Sequence, residues 1–139
     1  MSRHKPGPTR LARAGGAAMA LLLVAASHAG RAVTEADFSA RTTADLVALC
    51  DPQSDSAIAN AAVNFCSGFA QGAVSLEMAH DAGSRSMKLF CLPDPPPTRN
   101  ETLAEFVKWA RASPDRMNTS AVNGLIGFLG DRFPCPKRR

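Results

Sequence analysis

IANAAVNFCSGFAQGAVSL, from Ile58 to Leu76, decides the fold class of this 139-residue chain. Ile58, Ala62, Phe65, Phe69, Gly72 and Leu76 follow one another at intervals of 4, 3, 4, 3 and 4. An α-helix turns once in about 3.6 residues, so these positions share one face. The spacing predicts a long helix with that stripe turned to a core and Cys66 on its edge. Gly68 and Gly72 stand four residues apart, and each costs about 1 kcal/mol relative to alanine inside a helix. Ala61, Ala62 and Ala73 are small as well, so the expectation is a close approach of another backbone. The polar residues around them exclude a membrane dimer motif.

Working outward, Thr43 as N-cap, Asp45 in the first turn and Leu46, Val47 and Leu49 at helical spacing predict a short helix ending at Cys50. Asp51-Pro52-Gln53-Ser54 breaks it, and Ser54 or Asp55 is expected to cap the long helix. Downstream, His80-Asp81-Ala82-Gly83-Ser84-Arg85-Ser86 reads as an exposed loop. His80 then sits where the helix dipole favours a cation. Asp94-Pro95-Pro96-Pro97 is a stiff connector. Thr98-Arg99-Asn100-Glu101 fits a capping box and opens a helix with Leu103, Phe106, Val107 and Ala110 inward, Trp109 packing beside them. Ser113-Pro114 ends it. A last helix from about Ser120 turns Val122, Leu125, Ile126 and Leu129 inward, Gly130 can end it, and Phe133-Pro134-Cys135 fastens the tail. With no strand alternation and no internal repeat, the expected fold is all-α, a compact bundle of about four helices stapled by two disulfides.

The chain opens with Arg3, Lys5, Arg10 and Arg13, an apolar run from Gly15 to Ala26, and small-x-small endings at Ala29 and Ala32. This is the three-part build of a secretory signal peptide, and the run falls short of the roughly 20 residues that span a bilayer. The expected organisation is a signal over residues 1–32, cleaved after Ala29 or Ala32, and a helical domain over 33–139. Five of the 16 bases (Arg31 is the fifth) precede Val33 while all 12 acids follow it, leaving 11 bases against 12 acids and a net charge of −1. The basic balance therefore belongs to the export signal. A nucleic-acid partner, which needs clustered positive charge on the folded domain, is not expected, nor is a membrane partner after cleavage.

Cys50, Cys66, Cys91 and Cys135 all lie in the mature part. An even count in a small exported chain reads as a disulfide framework. Gaps of 16, 25 and 44 contain no close pair of the kind zinc sites use. His4 and His28 leave with the signal, so His80 stands alone; no metal or other cofactor is expected. Four cysteines allow three pairings, and the spacing does not choose among them. Cys50–Cys66 is favoured because it ties a helix end to the body of the next helix. Cys91–Cys135 is favoured because it closes the C-terminal half. Each loop could contribute about 3 to 4 kcal/mol through the unfolded state.

The features occur in a definite order. Leu49-Cys50 closes a short helix, and Cys66-Ser67-Gly68-Phe69-Ala70-Gln71-Gly72 lies on the long one. Phe90-Cys91-Leu92-Pro93, Ala112-Ser113-Pro114 and Phe133-Pro134-Cys135 follow. Gly68, Phe69, Gly72, Pro93 and Pro134 are the structural landmarks among them. From about Phe38 to Cys135 this order resembles the Rap/Tai family of immunity proteins, which protect bacteria against type VI secretion amidase effectors. Phe69 departs from the tyrosine expected there, which bears on packing. The resemblance implies a periplasmic all-helical protein, a homodimer as its assembly, and a secreted peptidoglycan amidase as the partner it inhibits without catalysis. Candidate contact residues are His80, Asp81 and Arg85, or the Asp51–Asp55 turn, all placed in loops. The alternatives are a small periplasmic stress chaperone or structural protein with no amidase partner, and an enzyme built around His80, for which no catalytic set stands out.

Overall fold

Thr42, one residue earlier than the sequence indicates, starts the first helix of the computed structural model, which describes residues 32–83 and 88–136 together with Met1. Nearly all of the expected export segment lies outside the described residues. Thr42 is extended, its hydroxyl accepts from the Asp45 amide (3.2 Å), and the Asp45 carboxylate accepts from the Thr42 amide (3.0 Å). Only a cap at 42 puts an acid at the third helical position, which completes the reciprocal box. Thr43 is freed to point inward, where it is fully buried.

Among the described residues, five helices follow a short 3₁₀ turn at Glu35–Ser39: α1 Thr43–Cys50, α2 Ala57–Gly83, α3 Arg99–Arg111, α4 Pro114–Met117 and α5 Ala121–Arg132. The fold is all-α, with the two disulfides Cys50–Cys66 and Cys91–Cys135. α3 begins on its expected cap, Thr98 with Glu101, and α5 begins where expected, after Ser120, whose side chain accepts from the Asn123 amide. The Ser113-Pro114 step starts the short α4 with proline at its first position, where the missing amide costs nothing. α5 runs past Gly130 to Arg132, and Phe133 is buried beyond it, its carbonyl accepting from the Cys91 amide at 2.8 Å.

α1, α3 and α5 enclose the core. Leu46, Leu49, Phe106, Leu125, Phe128 and Leu129 are its largest fully buried apolar side chains. Phe106 meets Phe128 edge-on at 5.8 Å, and Trp109 tilts against Phe128 at 5.9 Å while its indole N–H donates to Asp131. Arg116 covers the outer face of Trp109 at 4.2 Å. Leu103, Phe106, Val107 and Ala110 are buried as the α3 stripe requires. In α5, Leu125 and Leu129 are buried but Val122 is exposed; Phe128 takes the inward position instead.

The starts of α1 and α5 are sewn together. The Thr43 amide donates to the Thr119 carbonyl (2.8 Å) and the Ala121 amide to the Arg41 carbonyl (3.2 Å). The Thr43 hydroxyl donates to the Ser120 carbonyl (3.2 Å) and lies 2.8 Å from the Thr119 hydroxyl. Gly124 makes this crossing possible. A Cβ there would overlap the Thr43 hydroxyl and stand 2.9 Å from its Cγ2.

Candidate functional site

α2 is 27 residues long, about 40 Å at 1.5 Å per residue, while the α1 helix that supports it has eight. Ser56, two residues or fewer beyond the expected Ser54 and Asp55, accepts from the Ala59 amide at the helix start (3.3 Å). The buried ridge is Ala59, Ala62, Cys66 and Ala70. Of the stripe the spacing pointed inward, only Ala62 is buried; Ile58 and Phe69 are half-buried, and Phe65, Gly72 and Leu76 are exposed. The Cys50–Cys66 bond, with Cα atoms 5.2 Å apart, turns Cys66 to the core and Phe65 away. Phe65 packs instead between Phe38 (5.5 Å) and Phe69 (6.4 Å) at the surface.

The glycines also differ from expectation. Both are exposed, and beyond the helix's own backbone no described residue lies within 4 Å of a Cβ built on either. The close backbone approach that their spacing predicts is not made among the described residues. Phe65, Gly68, Gly72 and Leu76, at steps of 3, 4 and 4, instead form an outward face with a low middle. From Gln71 to Ala82 no residue of α2 is buried, and Leu76 is 73% and Met78 59% exposed.

Beside this arm, a groove of about 280 Å³ opens between Val74 of α2, Leu92, Pro96 and Pro97 of the connector, Leu103 of α3 and Leu125 of α5. Its walls are apolar. Arg99 stands at the edge and donates to the Gln71 side-chain amide oxygen (Oε1) at 3.2 Å. The sequence reading missed this groove, because its wall comes from a proline connector that looked like a spacer.

His80 and Asp81 do not lie in a loop. α2 continues to Gly83, so both belong to its last turns, His80 exposed and Asp81 half-buried, with Glu77 one turn back. No helix breaker precedes Gly83, which explains the extension. Arg85 lies outside the described residues. Asp51 is engaged within the chain, paired with Arg111 at 2.6 Å; Asp55 is exposed. Pro93 and Pro134 are exposed at the two ends of the second disulfide. All four cysteines are bonded, so His80 has no thiol to activate.

Titration behaviour is shifted away from the arm. Glu101 is held below the ordinary carboxylate range by the Thr98 hydroxyl and then by the Thr98 amide. Glu105 is lowered chiefly by its hydrogen bond from Arg132, whose own value rises for the same reason. Both sites serve helix ends and packing, leaving the arm as an apolar surface suited to binding. No described helix is long and apolar enough to cross a membrane.

A protein-family model described as Rap1a immunity proteins matches residues 42–135 of the chain. No curated protein and no solved structure matches it. The matched span runs from the α1 cap to the last cysteine and includes both disulfides, the whole α2 arm and the groove.

Proposed function

We infer, from the premise that this chain belongs to the Rap1a immunity protein family, that it is exported to the periplasm and there binds and blocks a type VI secreted peptidoglycan amidase. Immunity proteins of such a family act by occupying a secreted effector, so the work is binding and no step of catalysis belongs to this chain. Export through residues 1–32, with cleavage after Ala29 or Ala32, fits the tripartite start of the sequence. Two disulfides fit the oxidising compartment where a cell-wall amidase would act.

One observation carries the reading: the outward face Phe65–Gly68–Gly72–Leu76, on a helix whose outer half leaves Leu76 and Met78 exposed. Apolar side chains left in water on a rigid helix are a cost recovered only when a partner covers them. The two glycines let a partner backbone approach closely, and glycine inside a helix is unfavourable without such a gain. His80 and Asp81 lie at the end of the same arm, so they remain contact candidates.

The test is direct. The oxidised protein is mixed with a type VI secreted peptidoglycan amidase, taken from the neighbouring genes where they encode one, and muropeptide cleavage is followed by chromatography. Cleavage should stop near equimolar inhibitor. Undiminished cleavage at large excess would overturn the amidase assignment. The homodimer implied by the resemblance is read from the mass by light scattering, alone and with the effector.

A further inference from the structure

The last two turns of α2 hold a cluster of ligating side chains, of which His80 and Asp81 are also candidate partner contacts. Glu77, His80 and Asp81 are at positions i, i+3 and i+4, and each offers one ligand atom, all within 4.8 Å of one another. We propose that these three residues bind one zinc ion. The inference goes beyond effector binding and does not depend on it.

Four physical features of the turn agree. Helical spacing places the three side chains on one face, so one ion can meet all three without bending the backbone. Zinc–nitrogen and zinc–oxygen bonds are about 2.0 to 2.2 Å, so atoms within 4.8 Å close on an ion by small side-chain rotations. Second, Asp81 Oδ1 has less than 1 Å² exposed and no hydrogen-bond donor among the described residues. A carboxylate oxygen out of contact with water and without a donor is strongly unfavourable, and a cation supplies what it lacks. Third, Glu77 and Asp81 are like charges at i and i+4, a repelling pair on a bare helix. Neither forms an ion pair with a described residue. Fourth, the site lies at the helix C-terminus, where unpaired carbonyls make the potential negative and favour a positive ion.

The donor set selects the ion. One imidazole nitrogen with two carboxylates suits zinc, a borderline-soft ion that takes histidine, aspartate and glutamate together. Magnesium and calcium prefer sites made of oxygen alone. Three protein ligands leave a fourth position for water.

Isothermal titration of the oxidised full chain with zinc chloride in excess magnesium tests the site, with the His80→Ala variant and the Glu77→Gln/Asp81→Asn double variant in parallel. One saturating equivalent is expected in the parent chain, weakened at least about tenfold in each variant. His80 and the double-variant positions lie on the arm away from the core, and equal melting temperatures without metal establish that all three proteins are folded. In the parent chain alone, the His80 ring resonances should shift on addition of zinc. Absence of saturable binding, binding that survives His80→Ala through His4 or His28, or displacement by magnesium overturns the assignment.

Discussion

Leu46, Phe106, Leu125 and Phe128 in the α1–α3–α5 block are at most 2% exposed, whereas no α2 residue from Gln71 to Ala82 is more than half-buried and Leu76 is 73% exposed. The two regions are made of similar helical sequence. They differ in coverage: the block closes on itself, and the arm extends past the end of α1. Helix formation is cooperative and spreads from a nucleated segment at little cost per residue. The inner half of α2 is clamped by the Cys50–Cys66 bond and the Ala59–Ala62–Cys66–Ala70 ridge, so the outer half can continue the helix while only Ala73 and Val74 still lean on the core. Helicity is thus a local property of this chain, and burial is a property of what stands opposite.

That contrast can be broken most sharply in the block. Phe106→Ala should lower unfolding free energy by about 3 to 5 kcal/mol in urea titrations, since it empties the centre of the core. A loss as small as that of a surface change would mean the block is not the stabilising region. Gly124→Ala comes next, at about 1 to 3 kcal/mol, because the added methyl meets the Thr43 hydroxyl at the α1–α5 crossing. Gly68→Ala and Gly72→Ala, with open space around them, should instead leave the isolated chain as stable or raise it by up to about 1 kcal/mol. The same pair should weaken effector binding, which sets the two kinds of glycine apart.

Smaller effects sharpen the picture. Thr98→Ala should cost about 1 kcal/mol as a lost N-cap. It should also change the acid limb of stability. The Glu101 carboxyl is lowered in the folded chain by the Thr98 hydroxyl and amide. Its contribution is therefore full above the unfolded carboxylate value and is lost as pH falls from there through the folded value. Melting curves from neutral pH to about pH 3 should show a shallower acid loss in Glu101→Gln than in the parent chain. An unchanged slope would remove Glu101 from the account. Smallest of all, Leu76→Asp should move stability by no more than about 0.5 kcal/mol, as expected of an exposed position. It should nevertheless reduce effector affinity at least about fivefold if the arm is the contact face. Unaltered affinity would separate the arm from the function.

Much of the bundle was legible in the chain. The Thr98–Glu101 box, the Leu103–Phe106–Val107–Ala110 stripe and the Ser113-Pro114 stop all stand where periodicity and capping chemistry put them. α3 is simple to read because its polar and apolar residues alternate cleanly around the helix. α2 is not, since Ala, Val, Phe and Gly occur on every side of it. A stripe can be drawn in more than one rotation, and the one through Phe65 and Gly72 is mostly the outward one. The carboxylates beside His80 were equally hidden. Reading 80–86 as a loop severed Glu77 and Asp81 from it, and only continuation of α2 to Gly83 restores the shared face.

The sequence by itself determined the helical class, most helix boundaries, the stapling by four cysteines and membership of the immunity protein family. These follow from short-range chemistry: caps, periodicity, proline steps and compartment. Tertiary structure alone decided which cysteines meet, which side of α2 faces the core and where apolar surface is left over. Those outcomes depend on what lies opposite each residue. α1 ends after eight residues and the Cys50–Cys66 bond sets the rotation of α2, so a face that local pattern assigns to a core remains open to a partner.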